Sequence, residues 1–468
     1  MSLNGYYLLP HPPIIIPEVG RGEEGKIKDT IKSFYEIGRE IAEKAPDTIV
    51  VVTPHGTMFQ DAIALSYENE IYGDLSNFGV TNVSMKLTVN KGLTSKIYET
   101  AYEKGISAVM VTNQLLSRYN TSDFLDHGAM VPLYFINKFY SKYKIVHITY
   151  APLSDIDLYK FGMCIRKAAD DLKVNAVIIA SGDLSHKLKD DGPYGYSPFG
   201  EKFDKEFLAH LKEGNVEKVF SMDKELICNA GQCGRPSAEV LLGTLDGKKF
   251  KGDLLSYEGT FRVGYGVMRF NVISEDSSKV EKLELLRLQD YEKRVRSGGP
   301  YVRLARESLT TYLNTGHVMK TIPDYVTDDM KNTRRGVFVS LKKHGDLRGC
   351  IGTIFPATVS IAEEIIRNAV EAGINDPRFN EVEKEELMDI SFSVDVLTEP
   401  ELCSKDELNP KEYGVIVKSK GKTGLLLPDL EGVDTIEEQV SIALKKAGIR
   451  PYDEYSTERF KVIRYKEG

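Results

Sequence analysis

Three histidines fall just after runs of strand-forming residues: His11 in YYLLPHPPIII, His55 in VVVTPHG and His186 in VIIASGDLSH. In an open α/β sheet, ligands collect beyond the carboxyl ends of the strands. Parallel packing therefore brings three imidazoles from distant segments to one edge. Pro10, Pro12 and Pro13 restrict the backbone around His11, and Pro54 does the same before His55. Gly56 then lets the chain turn away. Rigidly placed imidazoles suit metal ligation or acid–base chemistry. A single histidine after a strand is ordinarily a satisfied polar residue; three at equivalent positions argue for a site.

Two histidines and one carboxylate, with open positions, make the ligand set of non-haem Fe(II) centres. The segment CGRPSAEVLLGTL offers two donors for the third place. Glu239 stands at the start of an apolar helix expected to begin near Pro236, and its plainer use is a first-turn carboxylate favoured by the helix dipole. Cys233 is a softer ligand that favours zinc or copper over iron, and its plainer use is a small buried residue. His127, in LDHGAMVPL, is a further cleft histidine, with Asp126 as a partner able to orient an imidazole. Asp183 reads as a helix N-cap or as the group that orients His186. His147, His210, His317 and His344 have no such context and read as structural. Cys350, in RGCIG beside Arg348, reads either as a nucleophile or as a small buried sulfur between glycines.

The elements that must position these residues alternate in type. GYYLL, DTIVVVTP, AVMVTN, KIVHITYAP and NAVIIASGD read as strands; IKDTIKSFYEIGREIAEKA, LTSKIYETAYEKG and DLYKFGMCIRKAADDL carry helical spacing. Such alternation predicts an α/β domain with a mostly parallel sheet flanked by helices. It closes with SYEGTFRVGYGVMRFNVI, two strands expected to pair antiparallel. Residues 274–284 are polar and mark a linker. Beyond them the pattern becomes α+β. The segment GVFVSLKKHGDLRGCIGT reads as a hairpin turning at residues 344–346, and YGVIVKSKGKTGLLLP as a second hairpin whose charged turn is solvated. A last helix, DTIEEQVSIALKKAG, carries a capping box at Asp434 and Glu437. The division is 1–275 for the first domain, 276–284 for the linker and 285–468 for the second domain.

Composition narrows the function classes. The 468 residues carry a net charge of −8, which speaks against nucleic-acid partners and an association with membrane surfaces. No apolar run is long enough to span a bilayer, and the N-terminal residues lack the pattern of a signal peptide. Five scattered cysteines point to a reduced, cytoplasmic protein.

The ordered set HPP, TPHG, DHGAMVPL, SGDLSH and AEVLLG resembles the class III extradiol dioxygenase family, with its LigB-like fold, over residues 5–273. Through CGRPSAEVLLGTL it is similar to the Memo branch of that superfamily. LRGCIGT at 347–353, DPRF at 376–379 and GLLLP at 424–428 resemble the AMMECR1 family over residues 285–466. The fusion resembles the AmmeMemoRadiSam system, whose third member is a radical SAM protein. The resemblance implies His11 and His55 as metal ligands, completed by Glu239 as in ring-cleaving members or by Cys233 as in Memo proteins. It implies His186 as catalytic base and His127 as a second active-site histidine. The activity it implies is an oxidoreductase that opens a catechol-like ring with dioxygen, using Fe(II), with zinc or copper as alternatives. The other implication is a non-catalytic or redox metal-binding module that works with a radical SAM protein.

Overall fold

The structure, a computed structural model, describes residues 2–191, 194–343, 345–430 and 432–467. The chain divides into two units between Leu286 and Arg287. The first unit holds strands β1 (Leu3–Leu9), β2 (Thr48–Thr53), β3 (Ile63–Ser66), β4 (Glu70–Leu75), β5 (Val80–Thr88), β6 (Ala108–Val111), β7 (Lys144–Thr149), β8 (Ala176–Ser181), β9 (Lys248–Glu258) and β10 (Tyr265–Glu275). One sheet runs in the order β6-β3-β7-β2-β8-β1-β10-β9.

The pairings β7–β2, β2–β8 and β8–β1 are parallel. The expected antiparallel closure by β9 and β10 is present and continues from β1. Strands β2 and β8 are buried along their whole length, as continuous β-branched runs are when helices cover both faces of a sheet. Alternate residues feed two cores: Val50, Val52, Ile178 and Ala180 on one face, Ile49, Val51, Val177 and Ile179 on the other. Among the described residues no helix is long and apolar enough to cross a membrane.

The separate hairpin β4–β5 was not expected from the sequence. Strand β4 is short and has a glycine at one of its three buried positions, Ile71, Gly73 and Leu75, and the buried Val80 and Val83 of β5 are three residues apart, off the strand period. Within 276–284 the chain already enters the helix Val280–Ser297; Leu283 is buried, and Val280 and Leu286 pack against the same core at helical spacing.

The second unit contains β11 (Val337–Lys343), β12 (Asp346–Thr353), β13 (Ile390–Leu397), β14 (Glu401–Cys403), β15 (Gly414–Ser419), β16 (Lys422–Leu426), β17 (Ser456–Phe460) and β18 (Val462–Lys466). They form two antiparallel sheets, β12-β11-β13-β18 and β14-β17-β15-β16. Both expected hairpins, β11–β12 and β15–β16, are present; His344, expected in the turn of the first, lies outside the described residues. The capping box of the helix Ile436–Ala447 is one residue later than expected: Thr435 and Glu438 make the reciprocal bonds.

Candidate metal centre

Register explains why distant residues meet. Leu9 pairs with Ser181 and Val52 with Ala180, so β1, β8 and β2 end level at one edge. His11, His55 and Asp183 each follow two residues beyond the last residue of its strand. The edge is completed from two helix starts. His127 opens the helix His127–Ile136, and Cys233 is the N-cap of the helix Gly234–Thr244.

That second helix reaches the edge through a backbone contact without side chains. A Cβ built on Gly182 would lie 2.1 Å from Gly234 Cα, so neither position has room for one. Gly234 N and Cys233 N donate to Asp183 O at 2.8 and 3.3 Å, and Asp183 N donates to Cys233 Sγ at 3.3 Å.

His11 Nε2 and His55 Nε2 lie 3.0 Å apart, and Cys233 Sγ lies 3.7 Å from His11 Nε2. One donor atom from each of these three residues falls within 4.8 Å of the other two. Imidazole nitrogens sit about 2.0–2.1 Å and thiolate sulfur about 2.3 Å from a bound ion such as zinc, so two ligands of one ion are separated by no more than ~4.4 Å, and both separations satisfy that bound. Two nitrogens and one sulfur form a borderline-to-soft donor set, which suits zinc, copper or iron.

The remaining histidines surround these three. His127 stacks on His55, ring centroids 4.3 Å apart, and meets His11 edge-on at 5.4 Å. Phe78, in the turn between β4 and β5, packs edge-on against His127 at 5.1 Å. His186 Nε2 is 3.7 Å from Cys233 Sγ, and its ring lies 5.2 Å from that of Tyr194.

Burial sets the electrostatics. It pushes His11 well below the ordinary histidine range, with neighbouring His55 adding to the effect. His127 is depressed to about 3 by burial and by His11 and His55. Burial also lowers His55 and His186. The edge thus holds neutral imidazoles, the protonation state that ligates metal and accepts protons. Burial, then Asp183, pushes the Cys233 thiol well up, while burial raises Asp183 itself to about 6.

Three sequence expectations are corrected here. Glu239 is not in the cluster: it is buried in an ion pair with Arg235, whose Nη1 is 2.7 Å from Oε1. One helical turn separates the two residues, and the guanidinium takes the carboxylate expected at the ion. Asp183 caps no helix, since coil follows β8; its Oδ1 accepts the His11 backbone N–H at 2.8 Å, and its Oδ2 is 3.9 Å from His11 Nε2. Gly56 also acts differently from expectation. Its φ is not positive; a Cβ there would lie 2.2 Å from Thr149 Oγ1 and 3.0 Å from His147 Cε1, so the glycine serves close packing.

Sequence reasoning missed the support beneath the site. Asp126 does orient an imidazole, but that of His147, which reads as structural from sequence: Nε2 donates to Asp126 Oδ2 at 2.7 Å and Nδ1 meets Ser66 Oγ at 2.8 Å. Asp126 Oδ1 accepts from Thr53 Oγ1 at 2.7 Å and from Gly128 N at 2.8 Å. Burial opposes this carboxylate, but the His147 and Thr53 bonds outweigh burial and hold it at about 2. Thr53 Oγ1 in turn accepts the His55 backbone N–H at 3.3 Å. The only sequence hint was the strand position of His147, which points it into the sheet layer.

In the second unit, the two motifs LRGCIGT and DPRF prove to be one clamp. Cys350 N donates to Asp376 Oδ2 at 2.8 Å, and Arg378 Nη2 donates to Cys350 O at 3.0 Å. Arg348 is occupied by Glu386, 2.8 Å away, rather than by the Cys350 thiol, which instead accepts from Ser340 Oγ at 3.2 Å.

Comparison with known proteins follows the same division. Residues 5–268 match the family model described as the catalytic LigB subunit of aromatic ring-opening dioxygenase, and residues 302–468 match AMMECR1. A protein of Clostridium acetobutylicum, CA_C1420, is 66% identical over 467 residues, covering 100% of both chains. A protein of Thermotoga maritima is 47% identical over 171 residues, 36% of this chain and 97% of its own. Among solved structures, the uncharacterized protein PH0010 of Pyrococcus horikoshii is 31% identical over 36% of this chain and 91% of its own, with a TM-score of 0.33.

Proposed function

Given that the chain belongs to the LigB family and carries an AMMECR1 domain, we propose that its first unit is a metal-dependent oxidoreductase of the extradiol-dioxygenase type. It holds one ion between His11, His55 and Cys233 and acts on a small catechol-like aromatic with dioxygen. The supporting observation is the convergence of those three donors within 4.8 Å, with His127 and His186 beside them.

The ion, Fe(II) for this chemistry, supplies Lewis-acid affinity for phenolic oxygens and a path for electrons to dioxygen. The protein's own groups handle the rest. His186, kept neutral by burial, takes the phenolic proton on a ring nitrogen as general base, a role worth typically ~10²–10⁴ in rate. His127 faces the ion's neighbourhood from the stack on His55 and offers a ring N–H to an oxygen gaining negative charge. Phe78 and Tyr194, each packed on one of these histidines and each exposed, offer aromatic faces for a substrate ring to pack against. The five cysteines, which form no disulfide, fit a reducing, cytoplasmic setting.

The test is anaerobic loading of the full chain with Fe(II), followed by catechols and oxygen. A yellow ring-opened product supports the proposal; no product from several catechols despite one bound iron removes it. One observation favours a second reading. With Cys233 rather than Glu239 beside the histidines, the site also suits a redox metal-binding module that partners a radical SAM protein. Co-purification of the two would support it, and no association with or without metal would remove it.

A further inference from the structure

The helix His127–Ile136 contains Pro132. In an α-helix the carbonyl of one residue accepts from the N–H four residues later, and proline has no N–H. Gly128 O, four residues before Pro132, therefore lacks its helical donor. The Ser181 hydroxyl donates to it instead.

A hydroxyl carries one hydrogen. With that hydrogen committed to Gly128 O, Ser181 Oγ meets His11 Nδ1 only as an acceptor, across 3.0 Å. His11 Nδ1 must then carry the ring proton, and Nε2 of a neutral imidazole keeps a lone pair. That nitrogen is the one 3.0 Å from His55 Nε2 and 3.7 Å from Cys233 Sγ. Ser181, His11 and Gly128 are all buried, so water does not compete for these bonds.

We propose that Pro132, the Gly128 carbonyl and Ser181 form a positioning relay that fixes His11 in its Nδ1–H tautomer and turns the Nε2 lone pair toward the metal position. The consequence for affinity rests on the metal-centre reading above; the tautomer itself is a property of the metal-free protein. A helix-interior proline thereby acts on a histidine outside its own helix.

The experiment uses the full chain, metal-free, with histidine labelled by heavy nitrogen. Long-range proton–nitrogen NMR reads each ring tautomer, and the His11 signals are identified by their loss in His11→Gln. Wild-type His11 is expected with Nδ1 protonated and Nε2 bare. Ser181→Ala removes the acceptor; the Nε2–H form is expected to grow and zinc affinity to fall about 10–100-fold, the usual cost of losing a ligand's hydrogen-bond partner. Pro132→Ala restores a competing N–H and should shift the tautomer in the same direction, while Ser181→Thr, which keeps a hydroxyl, should rescue it. Wild-type His11 in the Nε2–H form overturns the proposal, and does so even if Ser181→Ala fails to fold. So does a folded Ser181→Ala protein with unchanged tautomer and zinc affinity. The expected tautomer in a wild-type protein that binds neither zinc nor Fe(II) upholds the relay and removes the metal-centre reading.

Discussion

Arg235 Nη1 lies 2.7 Å from Glu239 Oε1, one helical turn apart, with both side chains buried. Arg235 Nη2 also reaches Asp155 Oδ2 at 2.7 Å. Burial pushes the Glu239 carboxyl well up, and Arg235 pulls it back. Removing one partner of a buried pair strands the other, at about 3–5 kcal/mol. Arg235→Met should therefore lower stability by that order in urea unfolding. Zinc titration should show Glu239→Gln binding like wild type and Cys233→Ala losing the ion; the reverse would return Glu239 to the metal.

Asp126 governs acid stability. Its folded carboxyl sits at about 2, below the usual range, so between roughly pH 4 and 2 the unfolded chain takes up a proton that the folded one refuses. Stability from this group is full above about pH 4 and drains away as pH falls toward 2, by about 2 kcal/mol. The difference in unfolding free energy between wild type and Asp126→Asn should shrink over that window. A constant difference would contradict the network assigned to Asp126.

Asp204 works with the opposite sign. It is buried, accepts Ser185 N and Tyr257 OH at 2.8 Å each, and burial raises it to about 7 despite those bonds. Below about pH 4 both states are protonated; between about 4 and 7 only the unfolded chain has lost its proton, so stability falls as pH rises. The advantage of wild type over Asp204→Asn should decline by on the order of 4 kcal/mol from pH 4 to 8. Because Ser185 lies between Asp183 and His186, zinc affinity of wild type should weaken over the same upper range relative to the variant. A flat stability difference would sink the assignment.

Gly182 admits no side chain. Gly182→Ala drives a Cβ into the Gly234 backbone, where no flexible group can yield. Overpacking typically costs about 1–3 kcal/mol, and the helix start bearing Cys233 must move. Circular dichroism melts should show that loss of stability, and zinc binding should weaken far more than in Gly79→Ala, whose Cβ meets open space although its backbone is left-handed. Equal zinc binding in the two variants would contradict the close approach.

Much of the frame was legible in the sequence. The parallel core strands announce themselves as unbroken β-branched runs, and the closing pair β9–β10 and both second-unit hairpins as short apolar stretches split by turns. The hairpin β4–β5 did not, because a glycine takes one of the three buried positions of β4 and the buried Val80 and Val83 of β5 are three residues apart, off the strand period. His11 and His55 were legible as edge residues because strand ends and prolines are local features.

The partners were not legible. That Asp183 accepts from His11 N, that Asp126 serves His147 rather than His127, and that Arg235 claims Glu239 all depend on which side chains meet once the strands are in register. Residue types and their period determined, by themselves, that this chain builds a mostly parallel sheet with histidines at its edge. Only the tertiary structure decided that cysteine rather than glutamate joins them, because one buried guanidinium in reach of a carboxylate outweighs any preference written in the spacing.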